Sequence, residues 1–181
     1  MRLFIGIPLP DEVRAEVAAA VAQLRRGGED LRWSAPEAWH ITLQFLGNAG
    51  AEQFECLKAS LGEMHSRPAP VRLGALGTFE RVGVVFVDVE VRPELAALQQ
   101  QVVAATAKCG FMPEDKPFHP HITLARARGR KIFRGLPAPR SWSDHPPQFT
   151  PFEAREFLLY ESFPGRDGSR YEVRARFTLG I

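Results

Sequence analysis

The chain has 181 residues, 45% of them hydrophobic and 24% charged, with a formal net charge of +2. These are the proportions of an ordinary soluble globular protein, long enough for one domain or two small lobes around a sizeable core. They exclude a membrane-spanning chain, since no apolar stretch is long enough, and the charge permits an anionic ligand without demanding one.

Taken in chain order, Arg2 to Leu9 reads as a first strand. Its apolar start is too short for a secretion signal and lacks a small-residue cleavage site, so the cytoplasm is the expected compartment. Pro10-Asp11 opens a helix with Val13, Val17, Val21 and Leu24 on one stripe, stopped by Gly27-Gly28. Leu31 to Ser34 is a short extended piece, Pro36 marks a turn, and Trp39 to Leu46 is a strand. A second helix is expected from about Ala51 to His65, with Phe54, Leu57, Leu61 and Met64 inward. Strands follow at Val71–Phe79 and Val82–Val91, the latter with Val85, Val87, Val89 and Val91 as one buried face. Pro93 starts a third helix, with Leu95, Leu98, Val102 and Ala105 inward and Gly110 closing it. Phe118 to Ala125 is another strand. Gly135 to Pro151 is Pro-rich and polar, and reads as a long loop or lid. Glu153–Phe163 and Tyr171–Leu179 form a closing hairpin around Gly165-Arg166-Asp167-Gly168. The order predicts an α+β fold of mainly antiparallel sheets with helices packed outside, in two similar halves about a pseudo-two-fold. Cys56 and Cys109 lack partners at metal-ligand spacing. One disulfide is open to them, but reduced intracellular thiols are the expectation.

One tetrapeptide occurs twice, as His40-Ile41-Thr42-Leu43 and His121-Ile122-Thr123-Leu124. On a strand, alternate side chains face opposite ways, so Ile and Leu can enter a core while His and Thr share the other face. Two such strands brought together put two imidazoles and two hydroxyls in one cleft. A neutral histidine can deprotonate a nucleophile while a protonated one donates to a leaving group, and the hydroxyls can donate to an anion. That suits phosphodiester cleavage. Each His can instead be a hydrogen-bonded strand residue and each Thr a strand former. The matching frames, Trp39 and Phe45-Leu46-Gly47 around one copy, Phe118-His119-Pro120 and Arg126 around the other, favour a site.

His119-Pro120-His121 raises a metal alternative, two histidines on one face of a strand. Pro120 disrupts regular pairing, no Cys is near in sequence, and His119 reads as a supporting residue. Arg126, Arg128, Arg130, Lys131 and Arg134 form a basic run that can face a phosphate backbone or simply solvent. Arg126 reaches a phosphate at His121 if the strand bends. Phe45 holds the equivalent place after His40, where an aromatic either stacks on a base or joins the core.

These residues, with the opening Arg2-Leu3-Phe4-Ile5, Arg32-Trp33 and the late Leu159-Tyr160-Glu161-Ser162, resemble the two-histidine phosphoesterase superfamily. The branch is that of the RNA 2′,3′-cyclic phosphodiesterases, historically called 2′-5′ RNA ligases (LigT-like). The resemblance covers nearly the whole chain. It implies one bilobal domain over residues 1–181, with the motif strands facing each other across a groove. It further implies metal-independent opening of a terminal 2′,3′-cyclic phosphate to a 2′-phosphate, without a cofactor. By the same resemblance His40 is the general acid for the departing 3′ oxygen and His121 the base that activates water, although the near-symmetry of the site leaves that division open. Thr42 and Thr123 would hold the phosphate, Arg126 would add charge, and Phe45 would contact the base. The partners implied are RNA ends or nucleotides bearing a 2′,3′-cyclic phosphate, met by a monomer with no membrane attachment. The family name implies ATP-independent 2′-5′ joining as well. A non-catalytic module that binds RNA ends, or an enzyme for small cyclic nucleotides, are the alternatives.

Overall fold

The computed structural model describes residues 1–25, 31–128, 142, 145–165 and 168–180. The Gly27-Gly28 helix stop, Arg130, Lys131 and Arg134 of the basic run, most of the expected loop at 135–151, and Arg166 and Asp167 lie outside the described residues.

The first half runs β1 (Arg2–Pro8), α1 (Asp11–Leu24), β2 (Leu31–Trp33), β3 (His40–Asn48) and α2 (Ala51–Gly62). There follow β4 (Ala69–Val71), β5 (Leu73–Phe79), β6 (Val84–Val89), α3 (Pro93–Ala107) and β7 (His121–Ala127). The chain closes with β8 (Phe152–Ala154), β9 (Glu156–Phe163) and β10 (Arg170–Thr178). One sheet has the order β10-β9-β1-β3 and a second β2-β7-β6-β5, with β4 and β8 forming a small third. Every pairing among the described residues is antiparallel. The α+β expectation holds.

Two units of the same design sit in the two large sheets. In each, a strand leads through a helix and returns as a motif strand paired beside the first: β1-α1-β3 and β6-α3-β7. Proline sets both helix starts, Pro10 as the cap of α1 and Pro93 inside the first turn of α3. Asp11 and Glu12 place negative charge at the positive end of α1. The expected stripes of α1 and α3 are all buried. A single core joins Ile5 and Ile7 of β1, Ile41 and Leu43 of β3, Val85 and Val87 of β6, and Ile122 and Leu124 of β7. Each such side chain, withdrawn from water, contributes about 1.5–3 kcal/mol. That shared core fixes the back of both motif strands.

Several expectations need correction. Cys56 and Cys109 form a disulfide, with Cα atoms 5.8 Å apart, rather than two reduced thiols. They are distant in sequence, but α2 packs beside α3 and brings them together. The extended stretch from Val71 breaks at Arg72, where β4 leaves to pair with β8. Helix α2 stops at Gly62, short of His65. Val91 is 55% exposed instead of buried, because β6 ends at Val89 and the chain turns through Glu90 toward α3. Among the described residues, no helix is long and apolar enough to cross a membrane.

Candidate active site

The groove-facing residues owe their direction to an irregularity that both motif strands share. On β3, Thr42 pairs with Gly6 and Gln44 with Ile5, so Leu43 is an extra residue. On β7, Thr123 pairs with Phe86 and Ala125 with Val85, so Leu124 is extra. Each strand therefore bulges at the leucine of its tetrapeptide, where two residues oppose one. Leu43 and Gln44 are both buried, as are Leu124 and Ala125. The next residue, Phe45 or Arg126, then returns to the side of the His and Thr. Strict alternation would have turned both into the core. This is the bend that Arg126 requires.

The histidines are held alike. Nδ1–H of His40 donates to the Ala38 carbonyl at 2.7 Å, and Nδ1–H of His121 donates to the His119 carbonyl at 2.8 Å. A carbonyl can only accept, so in both neutral rings the proton sits on Nδ1 and the lone pair on Nε2. The residues between, Trp39 and Pro120, make this reach possible. Trp39 adopts φ −74° and ψ 130°, and proline has a similar φ built in.

The surroundings differ. His40 lies against Phe4 (ring centroids 4.6 Å apart), Tyr160 (5.6 Å) and Tyr171 (5.2 Å, edge-on). Its ring settles close to the sheet because Gly6 lies beneath it; a Cβ there would come within 3.2 Å of the His40 ring and 3.0 Å of the Ile41 carbonyl oxygen. The matching position in the second unit is Phe86, whose ring stands beside His121 with centroids 5.5 Å apart and stacks on Phe79. Gly77 makes room for that ring, since a Cβ at Gly77 would lie 2.5 Å from it. Glycine under one histidine and phenylalanine beside the other explain why His40 is the more deeply enclosed.

Burial pushes the His40 imidazole down to about 4, against a smaller upward pull from the Ala38 carbonyl, and a charge on His121 pushes it further down. Burial also lowers His121, with the His119 carbonyl raising it, the charges of His119 and Arg126 lowering it, and Asp88 raising it. At neutral pH both rings are therefore uncharged in the free protein, with two Nε2 lone pairs available. A bound anion reverses part of this by favouring the charged form. Burial pushes the Tyr160 hydroxyl up to about 12, so it remains a neutral donor.

A cavity of about 910 Å³ opens along α3 and the motif strands, and Thr42, Phe45, Phe118, His119 and His121 line it. His40, Thr123 and Arg126 are not part of its lining. His40 lies close enough to His121, which lines it, for their charges to interact, and Arg126 acts on His121 by charge. Phe45 is 57% exposed, which makes it a groove residue and not a core one. Arg128 is exposed as well. His119 gives Nε2–H to Asp88 at 2.9 Å. Among the described residues no three His, Cys, Asp or Glu side chains gather as a metal site. Phe4, Tyr160, Phe86 and Asp88 also stand at the histidines, and no motif singles them out. Phe4 and Tyr160 stand in the segments that carry the resemblance, whereas nothing local marks Asp88, which reads as the solvent-side residue of a valine strand.

Twin imidazoles with the same tautomer, a cation beside one and an aromatic beside the other suit an anionic ester flanked by a ring. The family model of the 2′-5′ RNA ligase superfamily matches residues 9–162. The chain belongs to that superfamily. Among its relatives in the 2′-5′ RNA ligase superfamily is the RNA 2′,3′-cyclic phosphodiesterase of Archaeoglobus fulgidus, 31% identical over 175 residues, or 95% of this chain and 97% of that one. The Escherichia coli enzyme of the same name is 31% identical over 180 residues, 98% of this chain and 96% of its own. The crystal structure of E. coli LigT complexed with 3′-AMP superposes with a TM-score of 0.77 at 28% identity, over 99% of this chain and 98% of that one. A phosphoesterase crystal structure superposes with a TM-score of 0.80, also at 28% identity and with the same coverage.

Proposed function

We propose that the chain is an RNA 2′,3′-cyclic phosphodiesterase in which residues 1–181 work as a single bilobal domain and each large sheet supplies one His-Thr pair. The observation that carries this reading is the matched pair of histidines, each presenting an Nε2 lone pair with its Nδ1–H tied to a main-chain carbonyl. The terminal cyclic phosphate sits between them. Nε2 of His121 takes a proton from water as the water oxygen attacks phosphorus. The P–O3′ bond breaks, and Nε2–H of His40 gives its proton to O3′, leaving a 2′-phosphomonoester. Substrate charge brings His40 into its protonated form, and its low proton affinity makes it a strong donor once charged. Thr42 and Thr123 donate to the non-bridging oxygens, Arg126 offsets the added charge, and Phe45 contacts the terminal base.

No metal is needed for these steps. A 5′-hydroxyl in the place of water joins two RNA ends through a 2′-5′ linkage without ATP. The protein acts as a monomer in the cytoplasm, where the Cys56–Cys109 bond then has to withstand the thiol pool. The test is to incubate it with oligonucleotides and mononucleotides ending in 2′,3′-cyclic phosphate, with EDTA present, and to identify the product isomer. A 2′-phosphate is expected, with His40→Ala and His121→Ala each losing about 10²–10⁴-fold in rate. A 3′-phosphate, or loss of turnover in EDTA restored by zinc, overturns the mechanism. Turnover of mononucleotides alone overturns the RNA substrate, and tight binding without turnover makes the chain an RNA-end binding module.

A further inference from the structure

The two units are alike enough that a polar difference in the strand paired with each histidine stands out. The residue paired with His40 across the sheet is Pro8, and the residue paired with His121 is Asp88. Pro8 offers no polar side chain. Asp88 accepts Nε2–H of His119 at 2.9 Å, and the carbonyl of that same His119 accepts Nδ1–H of His121 at 2.8 Å. One residue is thus anchored to β6 by its side chain and holds the reacting imidazole by its main chain. The next residue reinforces the anchor, since the Pro120 carbonyl accepts the Val89 N–H at 3.1 Å. Phe79 packs edge-on against both rings, at 5.3 Å from His119 and 5.2 Å from His121. On the other side, the carbonyl that holds His40 belongs to Ala38, in a turn of Pro36–Ala38 that no side chain among the described residues caps.

We infer that Asp88 and His119 are positioning residues for His121: Asp88 fixes His119, His119 fixes the tautomer and direction of His121, and the carboxylate stabilises the imidazolium that forms as water is deprotonated. The inference rests on the base role proposed for His121. It gives the two chemically identical histidines unequal tasks, because among the described residues a carboxylate acts on His121 and none on His40. The titratable and charged groups facing His121 are Asp88 from β6, His119 and Arg126 from its own segment, and His40 from β3. Arg81, Glu114 and Lys116 also line the cavity. Among the described residues acting on His121, Asp88 is the one that supplies negative charge.

The experiment compares wild type with Asp88→Asn, His119→Ala and His119→Gln. It measures kcat and KM on an oligonucleotide ending in 2′,3′-cyclic phosphate, and follows the imidazole nitrogens of His121 by NMR across pH. Asp88→Asn and His119→Ala are expected to lower kcat by about 10- to 100-fold with KM nearly unchanged, the scale of losing an outer partner that orients a working histidine through a second residue. In Asp88→Asn the His121 titration and the acid limb of kcat/KM move together to lower pH. His119→Gln keeps an N–H for Asp88 and recovers most of kcat. A purely structural role would lower the melting temperature and leave the His121 titration in place, which overturns the inference, as does wild-type kcat in Asp88→Asn. The NMR readout needs no substrate. If wild type turns nothing over, the proposed function fails, while the His121 titration in Asp88→Asn still decides the positioning.

Discussion

Replacing His40 by asparagine keeps a side-chain N–H within reach of the Ala38 carbonyl but removes the group that titrates. In the unfolded chain His40 takes up its proton near pH 6.5; folded, it does so only at about 4. Between those values the unfolded state holds a proton that the folded state refuses, so stability falls as pH drops below about 6.5 and the loss is complete below about 4. The gap corresponds to about 3 kcal/mol, a large part of the stability of a domain this size. His121 adds a loss of the same sign, but it is present in wild type and variant alike, as are the carboxylates. Urea unfolding of both proteins at about pH 7 and pH 4 isolates the His40 contribution as a difference of differences, with m-values checked for constancy. Wild type is expected to lose about 3 kcal/mol more than His40→Asn on acidification. Equal acid losses would refute the claim that burial holds this ring neutral, and with it the argument that substrate charge must supply the protonated acid.

Gly6→Ala should cost about 1–3 kcal/mol through overpacking. Because its Cβ pushes on the His40 ring and the Ile41 carbonyl, activity should fall much further, about 100-fold for a shift near 1 Å; kcat/KM beside the melting temperature separates the two effects, and unchanged kcat/KM would show that His40 does not rest on Gly6. Converting Cys56 and Cys109 together to serine opens a cross-link spanning 53 residues, for which the chain-entropy model gives a loss of about 4 kcal/mol. Denaturant midpoints in oxidised, reduced and doubly substituted protein measure it, and identical midpoints would mean the bond constrains nothing in the unfolded chain.

Alternation of His-Ile-Thr-Leu was enough to place both His-Thr pairs on one face and both Ile-Leu pairs in the core. Valine and leucine spacing was enough for α1 and α3. What escaped was whatever depends on pairing across the chain. Nothing at Leu43 or Leu124 announces a bulge, because no glycine or proline marks the extra residue, and so the direction of Phe45 and Arg126 depended on a bend that only the partner strands reveal. Asp88 and His119 are 31 residues apart and touch because β6 and β7 pair. Cys56 and Cys109 meet only because α2 and α3 pack side by side. Val91 continued the valine pattern by two residues beyond the point where the ladder stops.

The leucine bulges bear on how the strands find their partners in the first place. A strand of plain alternation can slide by two residues and still bury the same kind of side chain, so its pattern alone tolerates a wrong alignment. Such a slip on β3 would put Thr42 opposite Pro8 and carry His40 off the end of the ladder. A misplaced bulge makes that alignment costly, since its bend then falls where the partner strand runs straight and ladder hydrogen bonds on either side are lost. The irregularity that aims Phe45 and Arg126 thus also serves as an alignment mark during folding, set at the same leucine of both tetrapeptides.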